Sequence, residues 1–370
     1  MKLTIDRNAL MRALSHVQAV VERRNTIPIL SNILLQAEGG KLSLTATDLD
    51  IEASDAADAS VKKPGQTTAP AQTLFDVVRK LPEGSEIALE LNESRLSITA
   101  GRSKFALPTL PAADFQTMAR EEAPVKFEVE AAELRRIIDK TRFAISTEET
   151  RYYLNGIYLH HAKGASENVL RAVATDGHRL ALAEAPAPKG SAALKGVIVP
   201  RKAVAEVRRL LDDAPEAVTV EASDAKITFR IGDATLTSKL IDGSFPDYQR
   251  VIPKDNGRIL SVNNKDFAAA VDRVATVSAE RSRSVKLSLS AGKVTLAVSH
   301  SETGQGVEEV EAEYDAEAME IGFNAKYLLD VTGQIEGVDA RIEFNDPASP
   351  ARVLDAKDAG AQYVLMPLRV

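Results

Sequence analysis

KLTIDRNALMRALSHVQAVV, residues 2–21, is answered twice further along the chain, by KFEVEAAELRRIIDKTRFAI at 126–145 and ILSVNNKDFAAAVDRVATVS at 259–278. Each stretch opens with apolar residues in alternation: Leu3 and Ile5, Phe127 and Val129, Leu260 and Val262. That is the period of a half-buried strand. A polar residue then starts a helix with apolar positions near every 3.6 residues, as in Leu10, Ala13, Leu14 and Val17. The copies are spaced by about 124 and then about 133 residues, one domain's length each.

A second helix recurs inside each third: TLFDVVRKL from Thr73, AVAEVRRLL from Ala203 and KYLLDVTGQI from Lys326. Short strands follow a template of basic residue, aliphatic, Ser/Thr, aliphatic: KLSL (Lys41), RLSI (Arg95), KITF (Lys226) and KVTL (Lys293). Each alternates with period two after a turn, the mark of an antiparallel strand. The expected fold class is therefore α+β: three similar domains, each made of two β-α-β-β-β half-units. Charged, proline-containing segments at 118–126 and 246–258 set the expected boundaries, giving domains 1–122, 123–252 and 253–370.

The 370 residues contain no cysteine, which excludes disulfides and thiolate chemistry and fits a cytoplasmic protein. The N-terminal sequence lacks the apolar core of a signal peptide, and no apolar run approaches a membrane span of about 20 residues, so no membrane association is expected. There is no Walker-type phosphate loop, nucleophile elbow or metal-ligand spacing, so neither cofactor nor metal is expected.

The stretch ATDGHRLALAE, 174–184, is the one place that resembles catalytic machinery, with Asp176 and His178 two apart. The first third has ATDLDIEA, 46–53, in the same slot without a histidine. A Thr-Asp pair repeated without its partner base points to hydrogen bonding at a strand end. Gly177, His178, Arg179 and Leu180 are then particular to the middle third, and their mix of close backbone approach, donors and apolar wall suits an extended peptide. A plain hairpin with surface His and Arg is the competing reading.

The formal net charge is −7, yet six helical windows carry 19 basic against 11 acidic residues, leaving roughly −15 for the rest. The basic doublets are Arg23-Arg24, Arg135-Arg136, Arg201-Lys202 and Arg208-Arg209. Such helices are either ordinary solvated faces or one shared surface for phosphates.

PILSNILL (28–35), LPAADF (110–115), RYYLNGI (151–157), ATDGHRLA (174–181), VIVPRKAV (197–204), LIDGSFPDYQRVIP (240–253) and YVLMPLRV (363–370) together resemble the β subunits of bacterial DNA polymerase III, the sliding clamps, over the whole chain. The resemblance implies a DNA clamp fold, with antiparallel sheets outside, helices lining a central hole, and a head-to-tail ring of two copies around duplex DNA. It implies no catalysis. Arg24, Tyr152, Tyr153, Arg201 and Lys202 are its candidate DNA contacts. It implies a peptide pocket of Leu154, Thr175, Gly177, His178, Arg179, Leu180, Pro246, Arg250, Val251, Asn324, Tyr327, Met366, Pro367, Leu368 and Arg369. Leu, Val, Met and Pro would form its trough and His, Arg and Asn its bonding rim. Motifs from the polymerase catalytic subunit, the clamp loader, and other polymerases and repair proteins are the implied ligands. Arg102, Lys104 and Phe105 fit one side of the dimer seam. Thr276 and Val277, with acids among Glu302, Glu308, Glu309 and Glu311, fit the other.

Overall fold

The computed structural model describes residues 1–22, 26–119, 122–214, 216–278 and 283–369. In the first third the elements are β1 (Lys2–Asp6), α1 (Arg7–Val17), β2 (Asn32–Glu38), β3 (Lys41–Thr47), β4 (Ile51–Asp58), β5 (Ser60–Lys63), β6 (Gly65–Pro70), α2 (Ala71–Lys80), β7 (Glu86–Asn92), β8 (Arg95–Ala100) and β9 (Ser103–Pro108). The middle third holds β10 (Val125–Glu130), α3 (Ala131–Thr141), β11 (Gly156–Lys163), β12 (Asn168–Thr175), β13 (Arg179–Pro186), β14 (Val197–Pro200), α4 (Arg201–Leu210), β15 (Ala217–Ala222), β16 (Lys226–Ile231) and β17 (Ala234–Lys239). The last third holds β18 (Arg258–Asn263), α5 (Asn264–Ala275), β19 (Ser284–Ser290), β20 (Lys293–His300), β21 (Gly304–Glu313), β22 (Met319–Asn324), α6 (Ala325–Thr332), β23 (Asp339–Phe344), β24 (Ala351–Asp355) and β25 (Asp358–Leu365). The β-α-β-β-β order runs twice through every third. The sequence pattern did not foresee β5, whose SVKK carries no apolar alternation; it pairs with β1 as a lysine-bearing edge.

The local reasons are those of the sequence. Leu10, Ala13, Leu14 and Val17 form the buried stripe of α1. The Asp6 carboxylate caps that helix by accepting from the backbone N–H groups of Asn8 and Ala9 at 2.8 and 3.0 Å. Asn263 and Asn324 cap α5 and α6 in the same manner. The alternating apolar residues of β1, β10 and β18 are all buried.

By contacts the chain divides into two compact units. One comprises Met1–Ala132, Pro188–Leu194 and Lys202–Leu240; it contains a five-stranded sheet, β5-β1-β7-β8-β9, and an eight-stranded sheet, β10-β15-β16-β17-β4-β3-β2-β6. The other comprises Glu133–Ala187, Lys195–Arg201 and Ile241–Val370, with a twelve-stranded sheet, β14-β11-β12-β13-β25-β24-β23-β18-β21-β20-β19-β22. Sheets therefore run across the repeats. The last strand of the middle third, β17, pairs with β4 of the first. The last strand of the last third, β25, pairs with β13 of the middle.

Candidate functional site

The Thr-Asp turn at the end of β12 is a closed set of local bonds. Thr175 Oγ1 donates to the Arg179 carbonyl at 2.7 Å and accepts from Gly177 N–H at 3.1 Å. Asp176 Oδ1 accepts from the N–H groups of His178 and Arg179 at 2.9 and 3.0 Å. The first third repeats every bond. Thr47 Oγ1 donates to the Ile51 carbonyl at 2.9 Å and accepts from Leu49 N–H at 3.0 Å. Asp48 Oδ1 accepts from Asp50 and Ile51 N–H at 2.9 and 2.8 Å. Gly177 has φ +86°, and Leu49 holds φ +77° in the same slot. Asp176 is thus a turn-former, and its second oxygen takes Arg179 Nε at 3.1 Å.

The surroundings of the two turns differ. In the middle third His178 and Gly177 stand exposed. The C-terminal segment is pinned beside them: Met366 N–H donates to the His178 carbonyl at 2.9 Å and Leu368 N–H to the Gly322 carbonyl at 2.8 Å. Met366, Leu368 and Val251 are large apolar side chains left exposed, and Pro246 is exposed as well. Leu154 and Leu180 are buried. Leu180 belongs to an apolar cluster with Val173, Leu182, Tyr248 and Val364, against which Tyr158, Phe245 and Ile252 pack. The Tyr158 and Phe245 rings stack at 4.9 Å and 5°. The sequence reading missed these floor residues, although Phe245 and Tyr248 lie within the family-like stretch 240–253.

Arg179, Thr175 and Asn324 each hold bonds within the chain. Arg179 is only 7% exposed. Its guanidinium donates to Asp176, to Asp330 and, at 2.7 Å, to the Phe143 carbonyl, and it lies over the Tyr327 and Phe143 rings. Thr175 is occupied by the turn, and Asn324 Oδ1 caps α6 by accepting from Lys326 N–H. His178 remains at the rim, its ring 6.4 Å from that of Tyr327. Burial, with the Asp176 carboxylate next in effect, raises the Tyr327 phenol above its ordinary pKa. Arg250 is exposed and paired with Asp247 at 2.8 Å; Pro367 is half-buried and Arg369 exposed.

Family models match three successive parts of the chain: the N-terminal domain of the DNA polymerase III beta subunit over residues 1–119, its central domain over 128–247 and its C-terminal domain over 249–369. The chain belongs to the DNA polymerase III beta subunit family. The beta sliding clamp of Caulobacter vibrioides is 61% identical over 372 residues, covering all of both chains, and that of Escherichia coli K12 is 40% identical over 371 residues with the same coverage. A Caulobacter crescentus clamp crystal structure superposes with a TM-score of 0.97 at 61% identity, covering 100% of this chain and 99% of the other. A Bartonella birtlesii clamp bound to griselimycin does so at 0.97 and 47%, covering all of both. The chain is accordingly a DNA sliding clamp, a processivity factor of DNA replication and not an enzyme. No helix among the described residues is long and apolar enough to cross a membrane.

The clamp's basic doublets divide in two. Arg136 donates to Asp358 at 2.9 Å and to the Glu184 carbonyl, and Arg209 reaches the carbonyls of Ser15 and His16 at the end of α1. Lys202 donates to the Val20 carbonyl at 2.9 Å and to Glu22 and Asp48. Burial opposes its charge, but Asp48 and Glu22 hold the ammonium above its ordinary pKa. Lys202 is thus half-buried and engaged by three oxygens of the first third; Arg135 and Arg201 stay on the surface. Tyr152 is exposed and meets Tyr153 edge-on at 5.8 Å. Arg24 lies outside the described residues. At the expected seam, Arg102, Lys104 and Phe105 are exposed on and beside β9. Val277 lies against Gly306 of β21, and its carbonyl accepts from Thr303 Oγ1 at 2.5 Å. Glu302 and Thr276 are surface residues, and Glu308 is paired with Arg273.

Proposed function

We propose that two copies of the chain join head to tail into a closed ring around duplex DNA, with domains near 1–122, 123–252 and 253–370. The carrying observation is a pair of open strand edges. Inside the chain each junction between repeats sets the last strand of one third on the edge of the third before it, β17 on β4 and β25 on β13. Among the described residues, β9 of the first third is left at a sheet edge. Among the described residues, β21 of the last third is paired on one side only from Gly304 to Glu311. Long open edges are association-prone. These two are complementary, with Arg102 and Lys104 by one and Glu308, Glu309 and Glu311 along the other. A contact between unlike surfaces that closes makes a ring. Equilibrium sedimentation tests it: a mass near twice 39.8 kDa supports the ring, and a monomer at all concentrations contradicts it.

Encirclement supplies retention without tight contacts, so Arg24, Tyr152, Tyr153, Arg201 and Lys202 need only meet phosphates weakly. The groove at His178, Val251, Met366 and Leu368 would hold extended peptides of the polymerase catalytic subunit, the clamp loader and repair proteins, its apolar floor giving affinity and exposed backbone giving register. Griselimycin, bound by the Bartonella relative, is a ready probe. Labelled griselimycin should bind the wild type, and Met366→Glu should weaken it at least about tenfold; equal binding would place its site elsewhere.

A further inference from the structure

The two internal junctions share one bond that the open edge of the first third cannot make. The strand ends align bond for bond. Leu240 N–H donates to the Ala225 carbonyl at 2.8 Å, and Thr109 N–H donates to the Ser94 carbonyl at 3.0 Å at the matching place in the first third. Two residues beyond the end of β9, Leu110 N–H bonds Thr68 Oγ1 of β6. In the other thirds Ile241 N–H bonds the Ile198 carbonyl of β14 and Leu368 N–H the Gly322 carbonyl of β22. The residue immediately before Leu240 is Lys239, whose N–H crosses the first junction to the Asp50 carbonyl at 2.8 Å. Met366 N–H crosses the second to the His178 carbonyl at 2.9 Å. The equivalent residue in the first third is Pro108, which has no N–H.

The same alignment gives a register. Leu236 sits opposite Ala53 at the first junction and Tyr363 opposite Ala181 at the second, and both large side chains are 0% exposed. The matching residue of β9 is Phe105, which is 41% exposed. The residue of β21 matching Ala53 and Ala181 is Gly306, where an added Cβ would lie 3.3 Å from Val277 Cγ2. A large side chain faces a small one at both junctions, and the two open edges carry the same pair of sizes, Phe105 and Gly306.

We propose that the seam between copies repeats the internal junctions, with Phe105 opposite the partner subunit's Gly306, and that Pro108 withholds one crossing hydrogen bond there, making the seam the joint that opens. This rests on the head-to-tail reading. One backbone bond changes an equilibrium by roughly 2–12-fold, and dissociating a closed dimer breaks two seams. P108A, which restores the N–H, should therefore lower the dimer dissociation constant by at least about fourfold, and P108S should do the same. Hydrogen exchange gives a second readout: the amide introduced at position 108 should be protected in the dimer and unprotected on dilution to monomer. A wild-type dimer with an unchanged or weaker P108A seam, or a fast-exchanging amide at 108 in the dimer, overturns the inference. A wild type that never dimerises overturns the ring reading itself.

Discussion

The Arg179 guanidinium carbon lies 4.5 Å from the centre of the Tyr327 ring and 5.2 Å from that of Phe143. The cation joins β13 to α6, since it also pairs with Asp330. Tyr327, which it underlies, faces the His178 ring. Arg179→Met leaves Asp176 and Asp330 without their partner and should cost about 3 kcal/mol of stability, with weaker griselimycin binding. In a Tyr327→Leu background the stability loss should persist while the further loss of binding disappears. Chemical denaturation and titration of the four proteins measure both; an additive binding loss would mean that Arg179 touches the ligand.

The Thr47 and Thr175 turns make the same bonds, so Thr47→Val and Thr175→Val should each cost about 1–2 kcal/mol in denaturant unfolding. His178→Ala, which removes an exposed ring, should stay within about 0.5 kcal/mol. A large loss at His178 with none at Thr175 would contradict the turn assignment.

Lys202 and Arg201 are sequence neighbours with opposite expectations. Lys202→Met strands the poorly exposed Asp48 carboxylate and should destabilise the chain by about 2 kcal/mol. Arg201→Glu should leave the melting temperature nearly unchanged, weaken retention on DNA and make its salt dependence shallower. Calorimetry beside a retention assay separates them, and the reverse pattern would refute the division of the doublet.

Burial lowers the His160 pKa, outweighing the bond to the His161 carbonyl that raises it. The unfolded chain therefore binds a proton near pH 6.5 that the folded chain refuses, and stability falls as pH drops below that value. His160→Gln should flatten part of the decline in melting temperature between about pH 7 and pH 5. An equal decline in both proteins would remove His160 as a cause.

The half-unit order was legible because alternation and 3.6-residue periodicity are local signals. Lys41, Arg95, Lys226 and Lys293, read as the starts of template strands, are the first residues of β3, β8, β16 and β20. Asp176 was legible because the chain carries its own control at Asp48. The fate of the basic doublets was not. Adjacent helical residues point about 100° apart, so one of each pair can turn inward, and a charge count cannot tell Arg136 from Arg135. Nor could sequence tell that the Arg179 guanidinium is engaged, because Phe143 and Asp330 lie far from it along the chain and meet it only in the fold.

Under the proposed ring, retention is topological: the protein would stay on DNA because it surrounds it. Retention of the loaded protein on nicked circular duplex DNA, with the circle then cut once, tests this most directly. Encirclement predicts stable retention on the circle in moderate salt and rapid loss from the ends once it is linear. Equal retention on circular and linear DNA would contradict it.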